Sequence, residues 1–193
     1  INDKIKDKLS IVLIVNYFGF ASNWSGIYNL KSDNSIIIED NAHSLYGEYN
    51  NKNFGSLGDI SFNSIRKILP VLSGSILKFN NNIAPDIKLK KRILNFSELK
   101  YSFRFLNNYT KINRKEISDE TDCNTVQSID YFSKKIYISQ QTDQDSISIK
   151  RHNNYNIWKK YLGNTELEMI KPEPSICPYA FPCICADQKL FDE

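Results

Sequence analysis

A chain of 193 residues fits one ordinary domain, or one large domain with part of a second. Its 41% hydrophobic and 24% charged residues exclude a mostly disordered chain, a collagen-like repeat and a coiled-coil rod. The net charge of +3, from 25 basic and 22 acidic side chains, is too even to point to nucleic acid or a membrane as the main partner.

Residues 1–8 (INDKIKDK) are charged and hold no signal-peptide core, and the first residue is Ile rather than Met. Residues 9–17 (LSIVLIVNY) form an almost continuous apolar run. Such a run predicts a strand buried on both faces, as in a parallel sheet, and it is far too short to span a bilayer. Asn23 or Ser25 can cap a short helix carrying Trp24, Ile27, Tyr28 and Leu30 at helical spacing. SIIIED (35–40) reads as a second buried strand, so the first 40 residues carry a βαβ signature and an α/β fold is expected. A polar stretch with Gly55 and Gly58 predicts a small hairpin excursion. A third strand is expected at 60–63 and a fourth at 73–79. NNNIAPD is a break, and the mixed basic and apolar residues 86–118 read as helix. SDETDCN is a polar linker, residues 125–138 suit either helix or strand, and 145–162 predict a helix closed by Gly163. On that helix Ile147, Tyr155, Trp158 and Leu162 can share a face. Strand-like, proline-containing pieces after Thr165 predict the start of a smaller α+β domain.

Four cysteines (Cys123, Cys177, Cys183, Cys185) match no zinc spacing, with only two histidines to help, so reduced thiols and no metal site are expected. The chemistry-bearing stretch is 36–75. Glu39 and Asp40 end a buried strand, His43 follows, and Ser64, Arg66 and Lys67 lie just past the next strand. In open α/β sheets ligands bind beyond the carboxyl ends of the strands. An acid, an imidazole, a hydroxyl and a lysine on neighbouring strand ends can form one pocket, although spacing alone names no reaction. The KLKKR run at 88–92, with Phe96, Tyr101 and Phe103 nearby, reads as the wet face of a helix rather than a nucleic-acid site.

The run IIIEDNAHSLYGEYNNKNFGSLGDISFNSIRKILPVLSGSIL resembles the central signature of the DegT/DnrJ/StrS sugar aminotransferases, in a variant with SIRK (64–67) around the lysine. EDNAH is residues 39–43, GSLGD is 55–59, and Gly74 matches a glycine of the following turn. IVNYFGF, KRHNNYNIW and CPYAFP resemble flanking parts, so the likeness is dense over 10–79 and patchy over 145–186. The resemblance implies an aspartate-aminotransferase-like (fold type I PLP) large domain, partial, over 1–118. Connecting helices and an incomplete small α+β domain would follow over 119–193.

It also implies pyridoxal 5'-phosphate as cofactor. Lys67 would be the catalytic lysine, linked to the cofactor at rest as a Schiff base and moving protons between carbons. Asp40 would keep the ring nitrogen protonated, His43 would lie near the ring and its phenolic oxygen, and Ser64 or Arg66 would meet the phosphate. The serine sits only three residues before the lysine, closer than the family pattern S-F-H-x-x-K, and Ser75 stands where a second glycine is common. The substrates implied are a nucleotide-linked keto-sugar and an amino-acid donor, for cell-surface polysaccharide. The enzyme would be a cytoplasmic homodimer. The family's phosphate-binding turn and stacking aromatic ring would precede residue 1, so the chain is expected to be the middle of a longer enzyme. Two other readings follow from the same residues: a sugar dehydratase, and an inactive remnant or partner-dependent piece.

Overall fold

The computed structural model describes residues 10–29, 31–32, 34–80, 85–93, 126–165 and 167–185. Strand β1 (Ser10–Val15) leads through a 3-10 turn (Tyr17–Gly19) to helix α1 (Trp24–Tyr28) and then β2 (Ser35–Asn41). Asn23 caps α1 by accepting from the Gly26 N–H. β1 and β2 pair in parallel, so the expected βαβ unit is present. The excursion is the two-residue hairpin of β3 (Glu48–Tyr49) and β4 (Lys52–Asn53). β5 (Ile60–Ser64) then pairs in parallel with β2, and β6 (Ser75–Phe79) pairs antiparallel with β5. The sheet order is β1-β2-β5-β6. Two helices follow, α2 (Tyr131–Gln140) and α3 (Gln144–Leu162), then the short pair β7 (Glu168–Met169) and β8 (Cys183–Ile184).

The core lies on one side of the sheet. Trp24, Ile37 and Leu57 are buried there, with Ile14, Ala21, Ile27, Tyr49 and Phe54 packed around them. Strand side chains alternate between faces, so Ile11, Leu13 and Leu77 point the other way. They are 68%, 55% and 50% exposed. This corrects the expectation of strands buried on both faces: among the described residues, only one face of the sheet is covered.

Two more expectations need correction. Residues 86–93 are not helical. Lys90 forms a parallel bridge to Gln127, with Lys90 N–H donating to Val126 O and Ser128 N–H to Lys90 O. The alternation Ile87-Lys88-Leu89-Lys90 has the period of an extended chain, and it follows Pro85. The rest of that predicted helix, 94–118, lies outside the described residues, as do Leu30 and Cys123. On α3, Tyr155 is buried but Trp158 is 55% exposed, because the inward face runs through Arg151, His152 and Tyr155. Gly163 closes α3 as expected, in a right-handed conformation, φ −64°.

α2 is locked to the β5–β6 turn through its cap. Asp130 is buried and accepts from Ser133 N–H at 2.8 Å and Ser73 Oγ at 2.7 Å. Gly74 in that turn has φ +123°, and a Cβ there would stand 2.6 Å from Ile129 Cδ1. The segment 175–179 returns to the sheet: Glu48 N–H donates to Ser175 O, and Tyr179 N–H to Phe18 O at 2.7 Å. Gly19 makes this approach possible, since a Cβ there would lie 2.4 Å from Cys177 O.

Among the described residues no helix is long and apolar enough to cross a membrane, and no cluster of His, Cys, Asp and Glu could hold a metal ion. Cys177 is buried and Cys183 is exposed.

Candidate active site

The carboxyl ends of β2 and β5 carry the candidate residues. Because successive strand residues face opposite sides, Glu39 and Asp40 part company. Glu39 points into the covered side and is fully buried. Its Oε1 accepts from Gly55 N–H at 2.8 Å and Asn41 Nδ2 at 2.8 Å, with Asn16 Nδ2 at 3.4 Å. Its Oε2 accepts from Leu57 N–H at 3.0 Å and Gly58 N–H at 3.2 Å. A buried carboxylate is tolerated where several donors meet it. Glu39 therefore shapes the 55–58 loop rather than the reacting pocket.

Asp40 shares the opposite face with Phe62, its register partner on β5, and is half-buried. Its Oδ1 accepts from Ala42 N–H at 2.8 Å, which fixes the side chain at the strand end. Among the described residues no group hydrogen-bonds its Oδ2, so one lone-pair edge remains for a cationic N–H.

His43 sits in an aromatic stack. Its ring centroid is 4.8 Å from Tyr179, tilted 18°, and 5.8 Å from Phe18, tilted 19°. Tyr17 approaches edge-on at 6.3 Å. Phe18 N–H donates to His43 Nδ1 at 3.4 Å, which favours the neutral tautomer with its proton on Nε2. Phe18 holds φ +57°, an uncommon conformation for a bulky residue.

Lys67 ends the 3-10 turn after β5 (Ile65–Lys67) and is half-buried. Its ammonium has no hydrogen bond or ion pair among the described residues. The His43 imidazole registers both neighbours: burial and the Lys67 charge pull its pKa below the ordinary 6.5, while Asp40 pushes it back up. The strand ends thus bring Asp40, His43 and Lys67 into one electrostatic neighbourhood.

This gives a direct prediction. Lys67→Ala should raise the pKa of His43 and Asp40→Asn should lower it, read from imidazole proton shifts against pH. The chain has only two histidines, so assignment is simple. Because the folded value is depressed, the unfolded chain binds more protons in the window below pH 6.5. Stability from neutral His43 is full above that pH and is lost as pH falls through the folded value. A His43 titration that ignored both substitutions would show the three residues to be apart.

Ser64, two residues past Phe62 on β5, shares the sheet face of Asp40, and Arg66 follows it in the 3-10 turn. They line a cavity of about 350 Å³ together with Ser73, Ser75, Arg92 and Ser128. Asp40, His43 and Lys67 are not among its walls. Sequence reasoning missed Tyr179, which belongs to the distant CPYAFP segment and carried no spacing signal towards His43.

Residues 1–89 match the DegT/DnrJ/EryC1/StrS aminotransferase family. The chain is 30% identical over 93 residues to an uncharacterized protein of Methanocaldococcus jannaschii, covering 46% of this chain and 24% of that one. It is 29% identical over 109 residues to the UDP-4-amino-4,6-dideoxy-N-acetyl-beta-L-altrosamine transaminase of Campylobacter jejuni, covering 50% of this chain and 29% of the relative. These matches span less than a third of either relative. Among solved structures, a GDP-4-keto-6-deoxy-D-mannose-3-dehydratase of E. coli with bound hydrated PLP superposes with a TM-score of 0.59 at 15% identity, over 97% of this chain and 49% of that one. A DegT DnrJ EryC1 StrS aminotransferase of Brucella abortus gives a TM-score of 0.51 at 15% identity, over 86% and 41%. The fold is that of the aspartate-aminotransferase-like (fold type I) enzymes, as a partial large domain.

Proposed function

Because residues 1–89 of this chain match the model of the DegT/DnrJ/EryC1/StrS aminotransferase family, we propose that it carries the lysine-bearing core of a pyridoxal-phosphate sugar aminotransferase. The reaction would move an amino group from an amino acid, such as glutamate or glutamine, to a keto group on a nucleotide-linked sugar. The product would feed a surface glycan, and the full-length enzyme would be a cytoplasmic homodimer.

The observation that carries this reading is the placement of Asp40, His43 and Lys67 just past the carboxyl ends of the parallel neighbours β2 and β5, in the segment that matches the family model. The residues present fit the cofactor. Asp40 keeps Oδ2 for a protonated ring nitrogen, and a carboxylate there favours the charged ring by a charge-assisted hydrogen bond. His43 offers Nε2–H to a phenolic oxygen. Lys67 is an amine without a competing partner among the described residues, suited to a covalent link and to proton transfer. The family pattern gives the phosphate to Ser64 or Arg66; both line a cavity whose walls do not include Asp40, His43 or Lys67, so that part of the fit rests on the resemblance alone. When bound, pyridoxal phosphate supplies the electron sink that makes the amine-bearing carbon acidic.

A lysine at this position favours transfer over sugar dehydration, since transfer needs a covalent hold and a proton shuttle. Turnover that did not depend on an amino donor would reverse that choice. A second reading is a piece that takes up cofactor only beside a separate partner segment. The open apolar face at Ile11, Leu13 and Leu77 favours it. In the deciding experiment the protein is incubated with pyridoxal phosphate, reduced with borohydride and digested. The adduct is expected on the Lys67 peptide and absent from Lys67→Ala. An adduct that persisted in that variant would end the assignment. An adduct that appeared only after a separate segment carrying the family's phosphate-binding turn was added would select the second reading.

A further inference from the structure

We propose that Arg151 is a positioning residue, holding the turn that carries Lys67 and the Tyr179 ring that stacks on His43 in one fixed arrangement. What the arrangement serves rests on the proposed function; the arrangement itself does not. Arg151 lies on the inward face of α3, one helical turn before Tyr155. Its Nη2 donates to Ile68 O at 3.5 Å. Ile68 directly follows Lys67 and closes the 3-10 turn, where carbonyls lack partners within the helix. Its Nη1 donates to Pro178 O at 3.2 Å and to Tyr179 O at 3.3 Å. The guanidinium carbon also stands 5.9 Å from the centroid of the Tyr179 ring, within cation–π range.

One planar group therefore bridges two segments that are far apart in sequence. Arginine has five N–H donors in a rigid fork and can serve carbonyls on both sides at once. Lysine, a single charge on a flexible stem, cannot hold the two segments at a set distance. The neighbouring His152 secures the same returning segment through Nε2 to Ile176 O at 2.6 Å. Tyr179 in turn lies 4.8 Å from His43, nearly parallel to it. The contacts from Arg151 towards that ring run through Tyr179.

The test reads the His43 ring protons and the Ile68 amide by NMR, with thermal unfolding alongside. In Arg151→Ala the His43 signals are expected to move downfield, because the shielding face of Tyr179 is no longer held against them. The Ile68 amide should shift too. Tyr179→Leu should displace His43 in the same direction and leave Ile68 in place. The double variant should add nothing to the His43 displacement. Arg151→Lys keeps a charge and a long stem, and it should still lose the wild-type positions; it is the variant to read if alanine prevents folding. Unmoved His43 signals, displacements that sum in the double variant, or a wild-type spectrum from Arg151→Lys would each overturn the proposal. Failure to trap cofactor on Lys67 with these shifts intact would instead count against the proposed function alone.

Discussion

Glu39→Ala is expected to destabilise the fold by about 3 kcal/mol or more, read as a lower urea midpoint or as insoluble protein. The substitution removes the acceptor shared by three backbone N–H groups, on Gly55, Leu57 and Gly58, and by the amides of Asn16 and Asn41. Leu57 and Gly58 are buried, so water cannot easily replace the lost oxygens. Each buried donor left unmade costs roughly 1–3 kcal/mol. A typical domain has only about 5–15 kcal/mol in hand. Glu39→Gln should fall between wild type and alanine, because an amide keeps one acceptor and turns its NH₂ towards donors on the other side. Asp40→Asn, one residue along, meets a single N–H and should leave the midpoint nearly unchanged. A Glu39→Ala midpoint equal to wild type would show that the 55–58 loop does not depend on this carboxylate.

Lys67→Ala should behave in the opposite way. Under the proposed function, amino-group transfer by a full-length protein carrying this chain is expected to fall by roughly 10²–10⁴-fold or more, the scale of a lost proton-transfer group. Stability should change by less than about 1 kcal/mol, because the ammonium makes no hydrogen bond or ion pair among the described residues. Lys67→Arg separates two contributions. It keeps the positive charge that holds the His43 pKa down, but a guanidinium stays protonated and forms no covalent link to an aldehyde. The arginine variant should therefore show a near-normal His43 titration and the same loss of turnover. Steady-state rates with an amino acid and a nucleotide-linked keto-sugar, set beside the imidazole titration, check both halves. Undiminished turnover in either variant would remove Lys67 from the chemistry.

The contrast between Glu39 and Lys67 marks how far the sequence could be read. Local order was legible wherever the signal was local. The apolar run before Tyr17, the Asn23 cap and the SIIIED strand are set by nearest-neighbour preferences, and they form the expected βαβ unit. The EDNAH and SIRK segments likewise fall at the ends of parallel neighbours, where a ligand site belongs. Alternation along β2 also dictates that Glu39 and Asp40 face opposite ways.

Which of those two faces is covered was not legible. Burial depends on what packs above a strand, and for β1 and β2 that is α1 and the 55–58 loop on one side only. The same limit explains residues 86–93, where a basic, apolar stretch forms an extended bridge because Val126 and Ser128 supply its backbone partners. It also explains Tyr179 and Arg151. Their relation to His43 and Lys67 passes through carbonyls and ring faces from distant parts of the chain, and no local pattern encodes it. The sequence by itself determined the strands, the cap and the order of the reactive side chains, because those follow from short-range sterics and periodicity. Tertiary structure alone decided which carboxylate supports the loop and which faces the candidate site, because hydrogen bonds and burial are settled by partners that meet only after the chain has folded.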